Sequence, residues 1–353
     1  MKNLIKTFIL LLLVASCTKS PVDQNSQNLT YSFGGGVFLV NEGNFRAGNG
    51  SVSFYSYDSS KIYNDLFYKA NGRPLGDVPN SIAIKGDKAY IVVNNSGKIE
   101  IADQATLESK GTITGLNSPR NISFINDYKA YVSSLYSDSV AILNLSDNSI
   151  SGYINLRRSS ESIAVAGNKA FISYWTEGKE IMVINTLNDK VVDSIEVGIE
   201  PESMAFDKYG MLWVLCNGGW ARQNFAELVE INTVTNKVEK TIEFPTKEAS
   251  PTCLKTDGAG QTLYYIDNGV RQMDIAATGL PNAAFIIPET GQYFYKIGIN
   301  PANSDILVTD AVDFVQQGNL LLYSSDGKLI SKMQAGIIPG SMFFKIKITS
   351  STN

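Results

Sequence analysis

The sequence predicts an all-β protein, a seven-bladed β-propeller whose last blade is closed by strands from both ends of the chain. The main observation is a short phrase of the form Pro-x-Ser-apolar that recurs along the chain. Its copies begin at Pro79, Pro119, Ser160, Pro201, Pro251 and Pro339, and a degenerate copy begins at Tyr295. Steps of about 40–50 residues with strand-like content are typical of propeller blades, which must stack around an axis to bury their sheets.

The elements within a repeat follow from apolar runs and turn residues. After the first phrase, the predicted strands are Ser81–Ile84, Ala89–Val93, Ile99–Ala102 and Lys110–Ile113. Two-residue hairpin turns are indicated by Gly86-Asp87, Asn126-Asp127, Gly167-Asn168 and Asp257-Gly258. No long stretch of the mature chain shows a period of 3.6 residues, so we expect almost no helix.

The two ends of the chain together supply the seventh blade. The strands Val37–Val40 and Ser51–Tyr57 have no phrase before them, and the last phrase, Pro339–Ile346, provides a single strand. Joining them closes the ring and removes exposed sheet edges. The other six blades are expected to be complete.

The first residues resemble the signal sequence of a bacterial lipoprotein. Lys2 and Lys6 precede a short apolar run, Phe8–Val14, and the small residues Ala15 and Ser16 precede Cys17. The resemblance to a lipobox implies cleavage before Cys17 and acylation of its thiol; an ordinary signal peptide with a chance cysteine is the alternative. We therefore divide the chain into a signal peptide (1–16), a lipidated cysteine with a flexible tether (17–32) and the propeller (33–353). Thr18, in place of Asp, favours the outer membrane, with the protein lipid-anchored at the cell surface.

Composition excludes several functions. The net charge is −4, and loss of Lys2 and Lys6 with the signal peptide makes it −6, which argues against nucleic acid or anionic lipid as partners. The absence of histidine removes Ser-His-Asp and Cys-His triads and histidine-ligated metals. Because no carboxylate pair or cofactor motif stands out, we predict a non-enzyme without a metal or cofactor. Cys216 and Cys253 are expected to be buried free thiols, although export leaves a disulfide open.

Blade geometry places the inter-blade loops and the loops after each second strand on one face, here called the loop face. Large aromatic residues and amides are concentrated in these loops, as expected for a surface that binds a large amphiphilic ligand. The candidate ligand-binding residues are Asn41, Glu42, Phe45, Asn80, Asn94, Asn95, Arg120, Tyr136, Glu161, Tyr174, Trp175, Glu202, Asn217, Trp220, Asn268, Asp310 and Phe314. The alternative for each aromatic is that it caps the sheet core, and for each asparagine that it suits a turn.

The repeats resemble the YVTN and YncE-like propellers of exported proteins. The lipobox, the short spacer, the opening Gly36–Phe45 and the aromatic loop face together resemble the BtuG-type surface lipoproteins. That resemblance implies capture of cobalamin on the loop face and transfer to a TonB-dependent outer-membrane transporter of the BtuB type. A glycan-binding or adhesion lipoprotein that uses the same face is the alternative.

The lipid anchor can be tested by fractionation. Cys17→Ser removes the thiol that is acylated, so we expect the protein to move from the membrane fraction to the soluble fraction. Immunoblotting of separated membranes measures this shift, with the wild-type chain as the control. Retention of the variant in the membrane fraction would contradict acylation of Cys17.

Overall fold

The computed structural model describes residues 34–174 and 178–346 of the chain. The predicted signal peptide, the whole of the predicted tether and Trp175 lie outside these residues. Seven antiparallel sheets form the seven blades of a propeller, as the sequence predicted.

Each blade is built from consecutive strands, with the phrase at the start of its innermost strand. Blade 7 begins with β1 (Gly36–Asn41), β2 (Ser51–Ser56) and β3 (Lys61–Tyr63), which are followed by a short helix, α1 (Leu66–Asn71). Blade 1 contains β4 (Pro79–Lys85), β5 (Lys88–Val93), β6 (Lys98–Asp103) and β7 (Ser109–Ile113). Blade 2 contains β8 (Pro119–Phe124), β9 (Lys129–Ser134), β10 (Ser139–Asn144) and β11 (Ser149–Asn155).

The remaining blades follow the same order around the axis. Blade 3 contains β12 (Ile163–Ala166), β13 (Lys169–Ile172), β14 (Glu180–Asn185) and β15 (Lys190–Glu196). Blade 4 contains β16 (Pro201–Phe206), β17 (Leu212–Cys216), β18 (Glu227–Asn232) and β19 (Lys237–Glu243). Blade 5 contains β20 (Thr252–Thr256), β21 (Thr262–Ile266) and β22 (Val270–Asp274). Blade 6 contains β23 (Phe294–Ile299), β24 (Ile306–Asp310), β25 (Gln317–Tyr323) and β26 (Leu329–Ile337), and β27 (Pro339–Lys345) then completes blade 7.

The closing blade joins the two ends of the propeller. The strand order of its sheet is β27-β1-β2-β3, so the last strand of the chain is the innermost strand of the blade. Leu39 pairs with Ser53 on one side and with Met342 on the other. The predicted closure from both termini is therefore confirmed.

Three details differ from the sequence prediction. Blade 5 has three strands in the described chain because the segment after β22, which contains Pro281 and Pro288, makes only a single bridge, between Val270 and Ile286. Asn126-Asp127 and Asp257-Gly258 lie in longer loops, whereas Gly86-Asp87 and Gly167-Asn168 are two-residue turns as predicted. Across residues 34–174 and 178–346, the expectation of almost no helix holds, with α1 between blades 7 and 1 as the exception.

Side chains of the phrase link each inner strand to its neighbour. Asn80 Nδ2 and Ser81 Oγ donate to the carbonyl oxygen of Arg120 at 2.7 and 2.8 Å, and Asn121 Nδ2 donates to that of Glu161 at 3.1 Å. In blades 4 and 5, the Leu254 amide donates to the Ser203 hydroxyl at 2.8 Å. Within the described residues, adjacent blades have no strand-to-strand hydrogen bonds between them. The small polar side chains of the phrase therefore form hydrogen bonds with the backbone of the neighbouring inner strand.

Apolar side chains fill the spaces between adjacent blades. One such cluster joins Tyr90 and Ile101 of blade 1 to Val132 and Leu143 of blade 2. Both predicted free cysteines are buried and unpaired with each other, which confirms the favoured alternative. Cys216 packs in the apolar cluster between blades 3 and 4, and Cys253 packs in the cluster between blades 5 and 6.

The stability of blade 7, which closes the ring, should depend on the buried apolar side chains of β1. Leu39 of β1 is fully buried, so Leu39→Ala should lower the free energy of unfolding by about 2–5 kcal/mol through lost burial and a residual cavity. Leu187→Ala is the matched control because Leu187 is largely exposed. Urea unfolding followed by circular dichroism measures both, and equal effects of the two substitutions would contradict this account of the closure.

Candidate functional site

The second residue of the phrase is directed to the axis by a backbone irregularity. In six of the seven inner strands, the pairing register shifts at the phrase; Asn80, Glu202 and Tyr295 lie at the shifts in β4, β16 and β23. A β-bulge adds one residue to one strand and re-aims its side chain. Side chains from several blades are thereby brought together at the loop-face end of the central channel. We call six of them the mouth ring: Glu42, Arg120, Glu161, Glu202, Tyr295 and Lys296.

Arg120 and Glu161 form a two-pronged ion pair across adjacent blades. The guanidinium Nε lies 2.7 Å from one carboxylate oxygen, and Nη2 lies 2.9 Å from the other. Burial alone would lower the pKa of Arg120, but its interaction with Glu161 outweighs burial and raises that pKa above its ordinary value. The planar geometry makes this the best-defined charge pair of the ring.

Glu202 and Lys296 form a second, looser pair. Lys296 Nζ lies 3.7 Å from Glu202 Oε1, while Glu202 Oε2 accepts the Cys253 amide at 2.8 Å. Burial works against the charge of Lys296, yet the nearby Glu202 carboxylate raises the pKa of the ammonium group, which is therefore a cation at neutral pH. Each of the two cations in the mouth ring thus has a carboxylate partner.

Glu42 differs from the other two acids because its hydrogen-bond partner is a phenol. Tyr295 Oη donates to Glu42 Oε1 at 2.7 Å. Burial raises the pKa of Glu42, and this effect exceeds the lowering by Tyr295 and by the more distant Lys296 and Arg120. Glu42 takes the space that the phrase of β27 leaves open, since a Cβ on Gly340 would lie 3.0 Å from Glu42 Oε1. A loop residue therefore completes the ring where the phrase has a glycine.

Below the mouth ring lies a cavity of about 300 Å³ with two kinds of wall. Blades 1–4 contribute polar side chains such as Asn121, Ser162 and Ser203. Blades 6 and 7 contribute Ile297, Met342 and Phe344, among other residues. The cavity therefore suits a small group that has both an apolar side and a polar end.

The loop face outside the mouth carries exposed aromatic side chains. Trp220 is 92% exposed and Tyr136 is 74% exposed, and Phe45 is also well exposed beside Arg46. Phe314 is closer to the mouth, where its ring packs edge-on against Tyr295 with centroids 5.5 Å apart. Of the six predicted aromatic residues, Phe45, Tyr136, Trp220 and Phe314 are thus solvent-accessible to different degrees, Tyr174 is buried, and Trp175 lies outside the described residues.

Five predicted ligand-binding residues are instead buried and form hydrogen bonds within the protein. Asn41 donates to the hydroxyls of Ser51 and Ser53, and Asn94 donates to the Pro119 carbonyl oxygen. The Tyr174 hydroxyl donates to Glu180. Asn217 accepts a hydrogen bond from the Gly219 amide, and Asp310 accepts from the amides of Tyr293 and Val312. The exposure that was expected of these residues is not observed, because their polar groups are used within the protein. Asn217 and Asp310 bond backbone amides of nearby loops, whereas Asn41, Asn94 and Tyr174 bond groups of other strands or loops.

The remaining predicted residues divide between the channel and the outer loops. Five residues that were predicted to bind a ligand line the cavity: Glu42, Asn80, Arg120, Glu161 and Glu202. Asn95 donates to Asp77, and Asn268 donates to Asp267; both are exposed. These two amides are on the loop face but have local partners in the resting structure.

Tyr295 and Lys296 were missed as site residues although their phrase was detected. The phrase there is degenerate, and its alignment with the others is settled by the register shift between Phe294 and Lys296. That shift puts Tyr295 in the position that Glu202 occupies in β16. Had the degenerate phrase been started one residue earlier, at Phe294, its second residue would have been Tyr295.

Neither a metal cluster nor a membrane helix is found in the described residues. Across 34–174 and 178–346, no three side chains of cysteine, aspartate or glutamate are placed to hold a metal ion. No helix in the same ranges has the length and apolar composition needed to cross a bilayer.

Comparison with known proteins gives a family and a fold. Residues 35–345 match the family described as "Domain of unknown function (DUF5074)". No curated protein sequence matches the chain.

Solved structures resemble the chain at low identity. A quinonprotein alcohol dehydrogenase-like protein from Bacteroides thetaiotaomicron is 16% identical with a TM-score of 0.70, over 90% of this chain and 79% of that one. A hydrazine synthase chain from Kuenenia stuttgartiensis is 14% identical with a TM-score of 0.60, over 76% of this chain and 92% of that one. A dihydro-heme d1 dehydrogenase, NirN, is 11% identical with a TM-score of 0.54, over 87% and 74%. At such identities the likeness concerns the propeller fold alone.

The raised pKa of Glu42 predicts a pH-dependent effect of its replacement. The folded state binds the Glu42 proton more tightly than the unfolded state, so its contribution to stability is greatest at low pH and is lost as pH rises through the folded pKa. Glu42→Gln keeps a neutral acceptor for Tyr295. We therefore expect the melting temperature of Glu42→Gln, relative to wild type, to increase between pH 4.5 and pH 8.

Differential scanning calorimetry across this pH range measures that difference. Glu248→Gln is the control for the general loss of one negative charge because Glu248 is exposed and far along the chain from the ring. A relative melting temperature of Glu42→Gln that stays constant or falls as pH rises would contradict the raised pKa.

Proposed function

The chain belongs to the DUF5074 family, and we propose that it is a cell-surface lipoprotein that captures a corrinoid on its loop face. The proposed cargo is cobalamin, which is passed to a TonB-dependent outer-membrane transporter. The observation that carries the proposal is the set of solvent-exposed aromatic side chains around a polar channel mouth.

The exposed aromatics offer contact area for a large amphiphilic ring system. Trp220, Tyr136 and Phe45 lie in loops where water would otherwise favour polar residues. Aromatic side chains cover apolar area at low conformational cost, while neighbouring amides can pair with the carboxamides at the edge of a corrin. Such a combination supports a corrinoid better than a small polar solute.

A corrin is much larger than the channel cavity, so it would lie across the mouth. The cavity of about 300 Å³ has room for one of its side arms only. The chain has no histidine, so it cannot replace the axial base of the cobalt with imidazole. Cobalamin would therefore bind as cargo, with its own lower base or a water molecule on the metal.

The proposed function does not include catalysis. In the mouth ring, Glu161 and Glu202 are paired with cations, and Glu42 accepts a phenolic hydrogen bond. These contacts suit the recognition of a ligand edge. The neighbours with enzyme names share the fold at identities too low to carry an activity to this chain.

The anchor and tether suit transfer to a membrane partner. The predicted tether of 17–32 can reach roughly 50 Å when extended, at about 3.3 Å per residue. Confinement to one membrane raises the effective concentration of the transporter, although a stable complex needs an interface of roughly 1,000 Å² or more. The loop face is the proposed side of contact.

Glycan binding is the second candidate, supported by the isolated exposure of Trp220. A single indole at 92% exposure can stack on a sugar ring without help from the channel. A carbohydrate array with signals that depend on Trp220 would favour this candidate over the corrinoid.

Binding of cyanocobalamin by the soluble Cys17→Ser protein tests the main proposal. Isothermal titration should give a saturable heat, and Tyr136→Ala should weaken binding by about tenfold through lost aromatic contact. The matched control is Tyr128→Ala, in the same blade, since Tyr128 is similarly exposed at 70% but lies in the β8–β9 loop on the opposite face. Absence of binding by the parent protein, or equal effects of the two substitutions, would contradict the proposal.

A further inference from the structure

A second cavity, the blade 1–2 cleft, lies between two adjacent blades rather than in the central channel. It measures about 210 Å³ and is formed by the β9–β10 loop, by the segment that joins blade 1 to blade 2, and by side chains of blade 2. The residues that define it are Leu116, Asn117, Ser134, Ser137, Ala141 and Tyr153. Sites for drug-sized ligands measure roughly 300–1,000 Å³, so this cleft suits a single small ring.

A small residue in the middle of blade 2 leaves the space open. Ala141 of β10 is paired with Val132 of β9 and with Tyr153 of β11, so these three side chains lie in a row on one face of the sheet. Val132 and Ala141 pack with Leu116 of the joining segment. Tyr153 is 58% exposed at the outer end of the row, and its ring therefore forms an accessible aromatic wall.

The rim of the cleft is held in place by hydrogen bonds between the joining segment and the β9–β10 loop. Asn117 Nδ2 donates to the Tyr136 carbonyl oxygen at 2.7 Å, and the Ser134 hydroxyl donates to the Asn117 carbonyl oxygen. Ser134 Oγ also accepts a hydrogen bond from the Ser137 amide at 3.0 Å. The polar groups of the rim are thus positioned in advance, which lowers the entropic cost of binding a ligand.

Three polar groups of the lining are available to a ligand. Ser137 Oγ accepts from the Ser139 amide at 3.2 Å, but its own hydroxyl proton has no acceptor in the described residues. Asn117 Oδ1 and the Tyr153 hydroxyl likewise form no hydrogen bond within the described part of the chain. Together these groups can both donate and accept, which matches a ligand that bears several hydroxyl groups.

The described residues that line the cleft include no charged side chain. Asp138, which follows Ser137, is exposed and accepts from the Ser139 hydroxyl at 2.9 Å, so it adds no cation. A carboxylate or phosphate would find no charged partner in this lining, and an ammonium group would exchange water for neutral acceptors only. The chemistry of the cleft therefore favours a neutral ligand.

We propose that the blade 1–2 cleft binds one neutral sugar ring. The Tyr153 ring covers a C–H face of the sugar, while Ser137 and Asn117 bind its hydroxyl groups. The inference does not rest on the proposed function, because the cleft includes neither Trp220 nor any residue of the mouth ring. The ring can belong to a glycan or to the ribose of a corrinoid; a neutral ring with hydroxyl groups is the chemistry that both share.

Methyl glycosides test the cleft without any corrinoid. Saturation-transfer NMR with the Cys17→Ser protein measures binding of the methyl glycosides of glucose, galactose, mannose and ribose. At least one of them should bind saturably, since each combines a C–H face with hydroxyl groups. Absence of saturable binding by all four would overturn the proposal.

Substitutions locate the bound sugar. Tyr153→Ala removes the aromatic wall and should weaken binding about two- to tenfold, whereas Tyr128→Ala, on the opposite face of the same blade, should leave it unchanged. Ser137→Ala should also weaken binding, through the loss of one hydrogen bond. Circular dichroism confirms that the variants are folded. Equal effects of the two tyrosine substitutions, or loss of binding in Trp220→Ala but not in Tyr153→Ala, would overturn the assignment to this cleft.

Cyanocobalamin identifies the source of the ring and separates this inference from the proposed function. If it binds, displaces the methyl glycoside and is itself weakened by Tyr153→Ala, the ring in the cleft is the ribose of the corrinoid. If a methyl glycoside binds at the cleft and cyanocobalamin does not bind, the cleft stands and the corrinoid proposal fails. If cyanocobalamin binds and none of the methyl glycosides does, the corrinoid proposal stands and the cleft fails.

Discussion

The pairing of β1 with β27 is the interaction on which the rest of the structure depends. These strands are separated by nearly the whole propeller sequence, yet they are adjacent in one sheet. Without the pairing, blade 7 would lack its innermost strand and the ring would have two open sheet edges. The pairing also brings Glu42, at the end of β1, over Gly340 at the start of β27. The same strand pairing therefore closes the propeller and completes the mouth ring.

The irregular pairing of the inner strands converts a repeated fold into a site. A regular ladder would send successive side chains alternately to the two faces of each blade. The register shifts at the phrases let residues such as Glu202 and Tyr295 point toward the axis. Because each blade contributes a different residue type at this position, a nearly symmetric scaffold presents an asymmetric set of charges.

The charges of the ring are balanced locally rather than around the whole channel. Arg120 donates two hydrogen bonds to Glu161, and Lys296 forms a longer ion pair with Glu202. Glu42 shares its carboxyl group with the phenol of Tyr295, so the least compensated charge lies beside the apolar wall of blades 6 and 7. This placement gives the cavity a direction, with acceptors at the loop face and apolar surface beneath them.

The sequence by itself determined the number of blades, the closure by both termini and the loop face, because these follow from a repeat period and from strand alternation. It also singled out four of the six mouth-ring residues as candidates: Arg120, Glu161 and Glu202 as second residues of clear phrases, and Glu42 as a residue of the loop after the first strand. Asn41 and Asp310 could not be assigned correctly, because a buried asparagine or aspartate that satisfies the backbone has the same local pattern as an exposed one. Tyr295 and the missing fourth strand of blade 5 were decided by tertiary structure. For Tyr295, the register of β23 against β24 fixed what the degenerate phrase left open, whereas in blade 5 the segment after β22 makes only one bridge, to Val270. Both outcomes depend on pairing between strands, which local sequence does not specify.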